Sequence, residues 1–451
     1  AGYFTASVGK VFHNGEVSGR KQDFEFSWST MPYVAPTIHY DYTPTCPGPD
    51  GKLHFNLLCP VNVSTQPLGS LPDIQTTDHL LTLLRNLSDS RETSRAQQPF
   101  FLAMGFHKPH VSFRYPEEFR SLYPLESVDV AANAFYATKQ PPVAWNPFMS
   151  IRKRDDIAAL DLPFPYGPVP KKYHILIRQS YYAAATYMDY ELGRVLAGLE
   201  EAGFANNTII TFVSDHGWQL GEHQEWAKFS NYAAATRVPF LVHVPGQTDV
   251  RPAFERRRKF PLIDPLRETN TTRRWTTPGS VSHALVELTD LFPTLTELTG
   301  LPTPPLCPED SSSVDTCVEG VSLAPLLSLR GRPVNATPAS DWKSAVFTQY
   351  PRPSDQPRPD SDQPTLANAT IMGYSMLTVD GQHYTEWVGF NNVTCRPIWH
   401  DVHARELYIH QTDPLEDNNV ADEDANAEMV RSLSAKLRLG WRHALPPAFK
   451  R

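Results

Sequence analysis

The run Thr208-Ile209-Ile210-Thr211-Phe212-Val213 ends in Ser214-Asp215-His216-Gly217, and Lys228 follows a short way on. A short β-branched apolar run reads as a buried parallel strand. In open α/β sheets, ligands gather beyond the carboxyl ends of strands. Asp215 and His216 stand at such an end, and Gly217 permits a sharp turn there. Metal-ligating side chains with a cation close behind suit a site for a tetrahedral anion.

Two more basic clusters follow apolar segments. Lys10 and His13 lie in Ser7-Val8-Gly9-Lys10-Val11-Phe12-His13. His107-Lys108-Pro109-His110 follows a second buried run, Pro99 to Phe106. Together with Arg237-Val238-Pro239-Phe240-Leu241-Val242-His243, these segments resemble the sulfatases of the alkaline-phosphatase superfamily. Further strings resemble the branch of that family acting on 2-sulfated iduronate. They are Gly48-Pro49-Asp50-Gly51-Lys52-Leu53-His54, Phe113-Arg114-Tyr115-Pro116, Gln349-Tyr350-Pro351-Arg352-Pro353-Ser354-Asp355 and Trp387-Val388-Gly389-Phe390-Asn391. The resemblance runs from Ala1 to about Asn419.

It implies an α/β fold, the sulfatase/alkaline-phosphatase-like sandwich. A large, mostly parallel sheet would be flanked by helices, with a small carboxyl-terminal antiparallel α+β subdomain. It also implies one Ca2+ ion and a formylglycine nucleophile made from the cysteine of Cys-x-Pro-x-Arg. Carried over motif by motif, Asp215 and His216 would be metal ligands. Lys10 and Lys228 would contact sulfate oxygens. His13 would orient the formylglycine hydrate, and His110 would protonate or bind near the leaving oxygen. Lys108, Trp218, Trp226 and Arg352 are candidate substrate contacts, with His107 and His223 as possible neighbours. The substrate would be the 2-sulfate of terminal iduronate in heparan and dermatan sulfate, and the compartment the lysosome.

The sequence contains no Cys-x-Pro-x-Arg. Asp155-Asp156 lies in a charged helical stretch and is rejected as the paired metal aspartates of a first strand. The expectation is therefore a fragment whose nucleophile, first strand and signal peptide lie elsewhere, and an inactive chain by itself. Two rival readings keep the Asp-His-Gly motif: another sulfatase or phosphodiesterase of the superfamily, and a non-catalytic carbohydrate-binding protein. A Cys-x-Pro-x-Arg encoded upstream separates the enzyme from the binder.

The elements that must position these residues read as follows. Tyr173 to Glu201 is a helix, with Ile177, Tyr181, Ala184, Met188, Leu192, Val195 and Leu199 on one face. Gly203 ends it and leads into the strand before Asp215. Leu285 to Leu298 is apolar-periodic, with a break or fresh start at Pro293. Residues 1–330 are expected to form the catalytic domain and 340–451 the small subdomain. In the latter, Ser344–Tyr350, Ile371–Val379 and His383–Phe390 read as antiparallel strands, and Val430–His443 as a closing helix.

With 451 residues, the chain can bury a large core. A net charge of −8 argues against bulk electrostatic binding of polyanions, nucleic acid included. Local lysines and histidines must hold any sulfated sugar. No stretch reaches the apolar length of a membrane span, and a monomer is expected. The five cysteines include two closely spaced pairs, Cys46/Cys59 and Cys307/Cys317, with Cys395 left over. Without a Cys-x-x-Cys, disulfides are favoured over metal. Sequons at Asn62, Asn86, Asn206, Asn270, Asn335, Asn368 and Asn392 fit a secretory glycoprotein, although several would arise by chance.

Overall fold

The structure is a computed structural model that describes residues 2–13, 21–93, 98–248, 259–267, 281–310, 314–327 and 341–449. Two parallel ladders lie early in the chain. Phe4–Gly9 pairs with Phe100–Gly105, and Leu58–Val61 pairs with Phe113–Pro116. The parallel pairing puts Gly9 and Gly105 side by side at the same sheet edge. Lys10 and His107-Lys108 therefore emerge together. A Cβ on Gly105 would lie 1.8 Å from the Lys10 carbonyl oxygen, and one on Gly9 would lie 2.2 Å from the Gly105 oxygen. Only glycine allows this approach at both strand ends.

The strand before Asp215 forms as Ile210–Val213, but two details differ from expectation. It pairs antiparallel with Phe240–His243, and its residues are half-buried. Phe100–Gly105 is likewise only partly covered, with Phe101 44% exposed and stacked on Trp28. Among the described residues each of these strands has one ladder partner, so neither is enclosed by neighbours on both edges. β-branched content reports strand propensity, not burial.

The long helix is Lys171–Glu201. Ile177, Ala184 and Leu199 are buried along it, and it packs on helix Pro72–Thr93. The main core gathers around Phe113, Tyr115, Phe148, Ile177, Ala184 and Tyr187. Pro293 falls in the first turn of Leu291–Leu298, as a fresh start requires. The start is fixed by a capping box between Glu287 and Asp290.

The carboxyl-terminal sheet has four antiparallel strands: Ala345–Arg352, Ile371–Thr378, Gln382–Asn391 and Arg396–Ile409. The last of these lay outside the sequence-based expectation, because its charged residues mask the alternation. The closing helix is Ala427–Leu439, and Gly440 at φ 75° separates it from the short helix Trp441–Ala444. The expected domain boundary near 330–340 falls outside the described residues. Cys46–Cys59 and Cys307–Cys317 are disulfides, and Cys395 is an exposed thiol.

Arg352 ties this sheet to the preceding part of the chain. It is 1% exposed. Its guanidinium donates to the carbonyls of Val143, Ala144, Phe229, Pro351 and Ser361 at 2.7–3.2 Å. It also lies 5.3 Å from the Trp387 ring centroid. Its role is therefore a correction to the sequence reading: every N–H is spent on backbone, and nothing is left to meet a substrate carboxylate. Close by, Glu225 accepts from Gln140 Nε2 at 2.8 Å and from the Asn146 amide at 3.1 Å. Burial pushes its carboxyl from 4.5 up to about 7.

Replacing Arg352 with Ala leaves these carbonyls without their donor in a dry interior. The expected loss, read by urea unfolding, is about 3 kcal/mol or more; a loss below about 1 kcal/mol contradicts the tie. Glu225 gives a pH-dependent outcome. Its raised folded pKa means that the folded chain holds this proton more tightly between 4.5 and about 7. Its contribution to stability is therefore lost as pH rises through that window. Glu225→Gln removes this loss. The variant should gain stability relative to the wild type between about pH 5 and about pH 8, measured as denaturation midpoints. An unchanged difference at the two pH values contradicts it.

Candidate active site

Asp73 begins the architecture of the site. It sits in the first turn of Pro72–Thr93 and is 1% exposed. Its carboxylate accepts the amide of His107 at 2.6 Å and that of Lys108 at 2.9 Å. One anion thus pins the loop leaving Phe100–Gly105. A second buried carboxylate, Asp41, lies against His107 Nε2 and accepts from Arg114 Nη2 at 2.6 Å. Lys108 turns inward. Its ammonium donates to the carbonyls of His110 at 2.6 Å and Ser112 at 2.7 Å. Burial pushes it down to about 8, despite the opposing pull of Asp41 and Asp73. Lys108 therefore braces the loop and does not face a substrate, a second correction to the sequence reading.

The braced loop presents His110. Its Nδ1–H donates to the Val111 carbonyl at 2.6 Å, which leaves Nε2 with the lone pair. Burial, then the charges of Lys10, His107, Lys108 and Lys228, hold it far below the ordinary imidazole range. Lys10 and Lys228 are each lowered by burial and raised by Asp215, and Lys228 also feels Lys10. Lys10, His110, Lys228 and Asp215 thus share one electrostatic neighbourhood, although they come from three separate segments. His13 is exposed, beside a segment outside the described residues.

The Asp-His-Gly motif is held by packing. Gly217 donates its amide to Ala235 at 2.8 Å. A Cβ there would lie 2.2 Å from the Ala234 oxygen. Close approach, not a positive φ, is what requires glycine at this position. His216 Nδ1–H donates to the Gly217 carbonyl at 2.7 Å, so Nε2 accepts from Lys228 Nζ at 2.9 Å. Burial and Lys228 lower its pKa. Asp215 lies 3.5 Å from His216 Nε2, with its side chain 75% exposed.

This donor set bears on the metal expectation. Calcium takes roughly six to eight oxygen ligands. Asp215 offers an exposed carboxylate that fits. His216 offers a nitrogen already facing an ammonium, and Asp41 and Asp73 are spent on His107, Arg114 and backbone amides. The described residues therefore fit a calcium ion at Asp215 alone, and they do not make a shell. His216 reads as the orienting partner of Lys228.

The aromatic candidates divide. Trp218 is half-buried and stacks on Tyr181, with ring centroids 6.3 Å apart. It lies the same distance from His216, so it remains next to the site. Trp226 is 1% exposed and packs edge-on against His174, which makes it core. His223 is also buried, between Asn133, Asp417 and Tyr232. Asp155 and Asp156 accept backbone amides of Phe55, Leu57 and Leu58, so they anchor the chain entering the strand Leu58–Val61. Asp41 and Asp73 were missed by sequence reasoning. Pro72-Asp73 opening a helix was the available signal for Asp73; Asp41 had none.

The site lies within a recognisable family. The sulfatase family model matches residues 1–301. Iduronate 2-sulfatase of Mus musculus is 46% identical over 433 residues, covering 96% of this chain and 76% of that protein. Iduronate 2-sulfatase of Homo sapiens is 46% identical over 435 residues, covering 96% and 77%. Among solved structures, the phosphonate monoester hydrolase SpPMH from Silicibacter pomeroyi has a TM-score of 0.63 at 18% identity, covering 99% of this chain and 79% of that one. BT4656 in complex with D-glucosamine-2-N,6-O-disulfate has a TM-score of 0.54 at 18% identity, covering 97% and 79%. At that identity the two structures speak for the fold alone, which is the expected α/β sulfatase/alkaline-phosphatase-like one. With residues 1–301 inside the family model and 46% identity sustained along nearly its whole length, the chain belongs to the sulfatase family of hydrolases.

Proposed function

We propose that this chain carries the sulfate-binding and leaving-group side of an iduronate 2-sulfatase site. The substrate is the 2-O-sulfate of terminal iduronate in heparan and dermatan sulfate. The observation that carries the reading is the convergence of Lys10, His110 and Lys228 beside Asp215, in a chain 46% identical to iduronate 2-sulfatases.

The chemistry follows from charge. Breaking a sulfate ester builds negative charge on the sulfuryl oxygens and the leaving alkoxide. Lys10 and Lys228 are partly desolvated cations that meet that charge with little reorganisation. His216 aims Lys228 through its Nε2. His110 is neutral while the lysines surround it. A bound sulfate offsets their charge, so substrate binding raises His110 toward the protonated form. Only then can its Nε2 donate to the leaving oxygen. A calcium ion, to which Asp215 would contribute one ligand, would supply Lewis acidity, and the formylglycine nucleophile would have to come from a Cys-x-Pro-x-Arg segment that the 451 residues do not contain.

Two disulfides and exposed sequons at Asn62, Asn86, Asn206 and Asn368 support a secretory route; the lysosomal address rests on the likeness to iduronate 2-sulfatases. Asn392 is half-buried and donates to the Ala367 carbonyl, so it is a poorer acceptor. Asn270 and Asn335 lie outside the described residues. No helix among the described residues is long and apolar enough to cross a membrane.

Lys228→Ala tests the assignment. In the protein expressed from its own gene, sulfate release from a terminal 2-sulfated iduronide should fall about 10²–10³-fold. Thermal stability should change little. The unmodified protein should prefer this substrate to 6-sulfated glucosamine. Unchanged turnover in the variant removes Lys228 from the site; a preference for the glucosamine keeps the family and removes the named specificity.

A further inference from the structure

The carboxyl-terminal sheet holds a cluster that the sulfate site does not use. His383 lies on Gln382–Asn391, His410 just follows Arg396–Ile409, and Glu416 sits in the turn beyond. Glu416 Oε1 lies 2.5 Å from His383 Nδ1 and 2.7 Å from His410 Nε2. One ligand atom from each residue lies within 4.8 Å of the others. The far side of two of these groups is already held. His383 Nε2 lies 2.9 Å from Ser375 Oγ, which Thr385 Oγ1 supports at 2.7 Å. Glu416 Oε2 accepts the Ala233 amide at 2.8 Å. Glu416 itself stands at φ 62°, a left-handed backbone that a glutamate adopts only when its surroundings require it.

Two imidazoles and one carboxylate, with outer hydrogen bonds fixing their orientation, form a donor set suited to zinc. We propose that His383 Nδ1, His410 Nε2 and Glu416 Oε1 bind a Zn2+-class ion. His383 and Glu416 are buried, whereas the His410 side chain is 24% exposed. That side supplies an entry path, and a water arriving by it would be the fourth ligand. A tetrahedron with bonds of about 2.0–2.1 Å has edges of about 3.3–3.4 Å, so Glu416 Oε1 must draw back from each ring nitrogen by roughly 0.6–0.9 Å for the ion to enter. The ion replaces the proton that each histidine holds toward Glu416. Burial opposes a charge on His383, but the Glu416 carboxylate outweighs it and raises the His383 pKa, which favours the charged ring. The displaced Nδ1 proton then leaves to water, and Nε2–H donates to Ser375 Oγ. Because Glu416 Oε2 holds Ala233, the ion would brace the segment that follows Lys228.

Zn2+ is titrated into the full chain at neutral pH with excess Ca2+, by isothermal calorimetry. One ion should bind per chain. His410→Ala and Glu416→Gln should each weaken binding at least about tenfold, because each removes a ligand. Asp215→Asn should leave it intact. Zinc should also raise the melting temperature of the wild type, by an amount that grows with the logarithm of its concentration once that exceeds the Kd, and not that of His410→Ala. His410 is partly exposed, so circular dichroism of the metal-free variant should match the wild type and separate ligand loss from misfolding. No binding to the wild type, or equal binding to His410→Ala, overturns the proposal. Loss of binding in Asp215→Asn places the ion at the sulfate site and overturns it equally.

Discussion

The Asp73 carboxylate, accepting the amides of His107 and Lys108, is the contact on which the candidate site depends. It joins the amino end of one helix to the carboxyl end of one strand. An anion in the first turn of a helix is favoured by the helix dipole. Burial makes the same anion costly unless its oxygens are occupied. The two amides occupy them, and in doing so they set the direction of the loop. His110 then faces Lys10 because Phe4–Gly9 runs parallel to Phe100–Gly105 and the two glycines let the ends touch.

The electrostatics have a single theme. Three lysines, Lys10, Lys108 and Lys228, are crowded into partly or wholly desolvated positions, and burial lowers each of them. Asp41, Asp73 and Asp215 offset part of that cost. Lys108 is satisfied internally by two carbonyls. Lys10 and Lys228 keep the residual positive character that a monoanionic sulfate ester can relieve. In a chain with net charge −8, the proposed anion site would work by local concentration of cations, not by the overall field.

Much of this was legible in the sequence because it is local. The helix over Lys171–Glu201 follows from apolar periodicity, and three of the four carboxyl-terminal strands, Ala345–Arg352, Ile371–Thr378 and Gln382–Asn391, from their strand-like runs. The disulfides follow from close cysteine spacing. Lys10, His110, Asp215 and Lys228 were legible as cations and ligands at strand ends. What was hidden is long-range. Nothing local to Arg352 tells that its guanidinium will meet Val143, Ala144 and Phe229. Nothing near Trp226 tells that it will pack on His174 instead of a sugar. Lys108 looks like a substrate contact until the loop closes and its ammonium finds two carbonyls. Asp41 meets His107 across a separation no motif records.

The central claim is that Lys10 and Lys228 hold the sulfate. The most direct measurement is a crystal structure of this chain soaked with a saccharide ending in 2-sulfated iduronate. The predicted result is sulfate density between the two ammonium groups, within hydrogen-bond reach of both, with the bridging oxygen toward His110. Sulfate bound elsewhere, with Lys228 still donating to His216 and Lys10 unengaged, would contradict it.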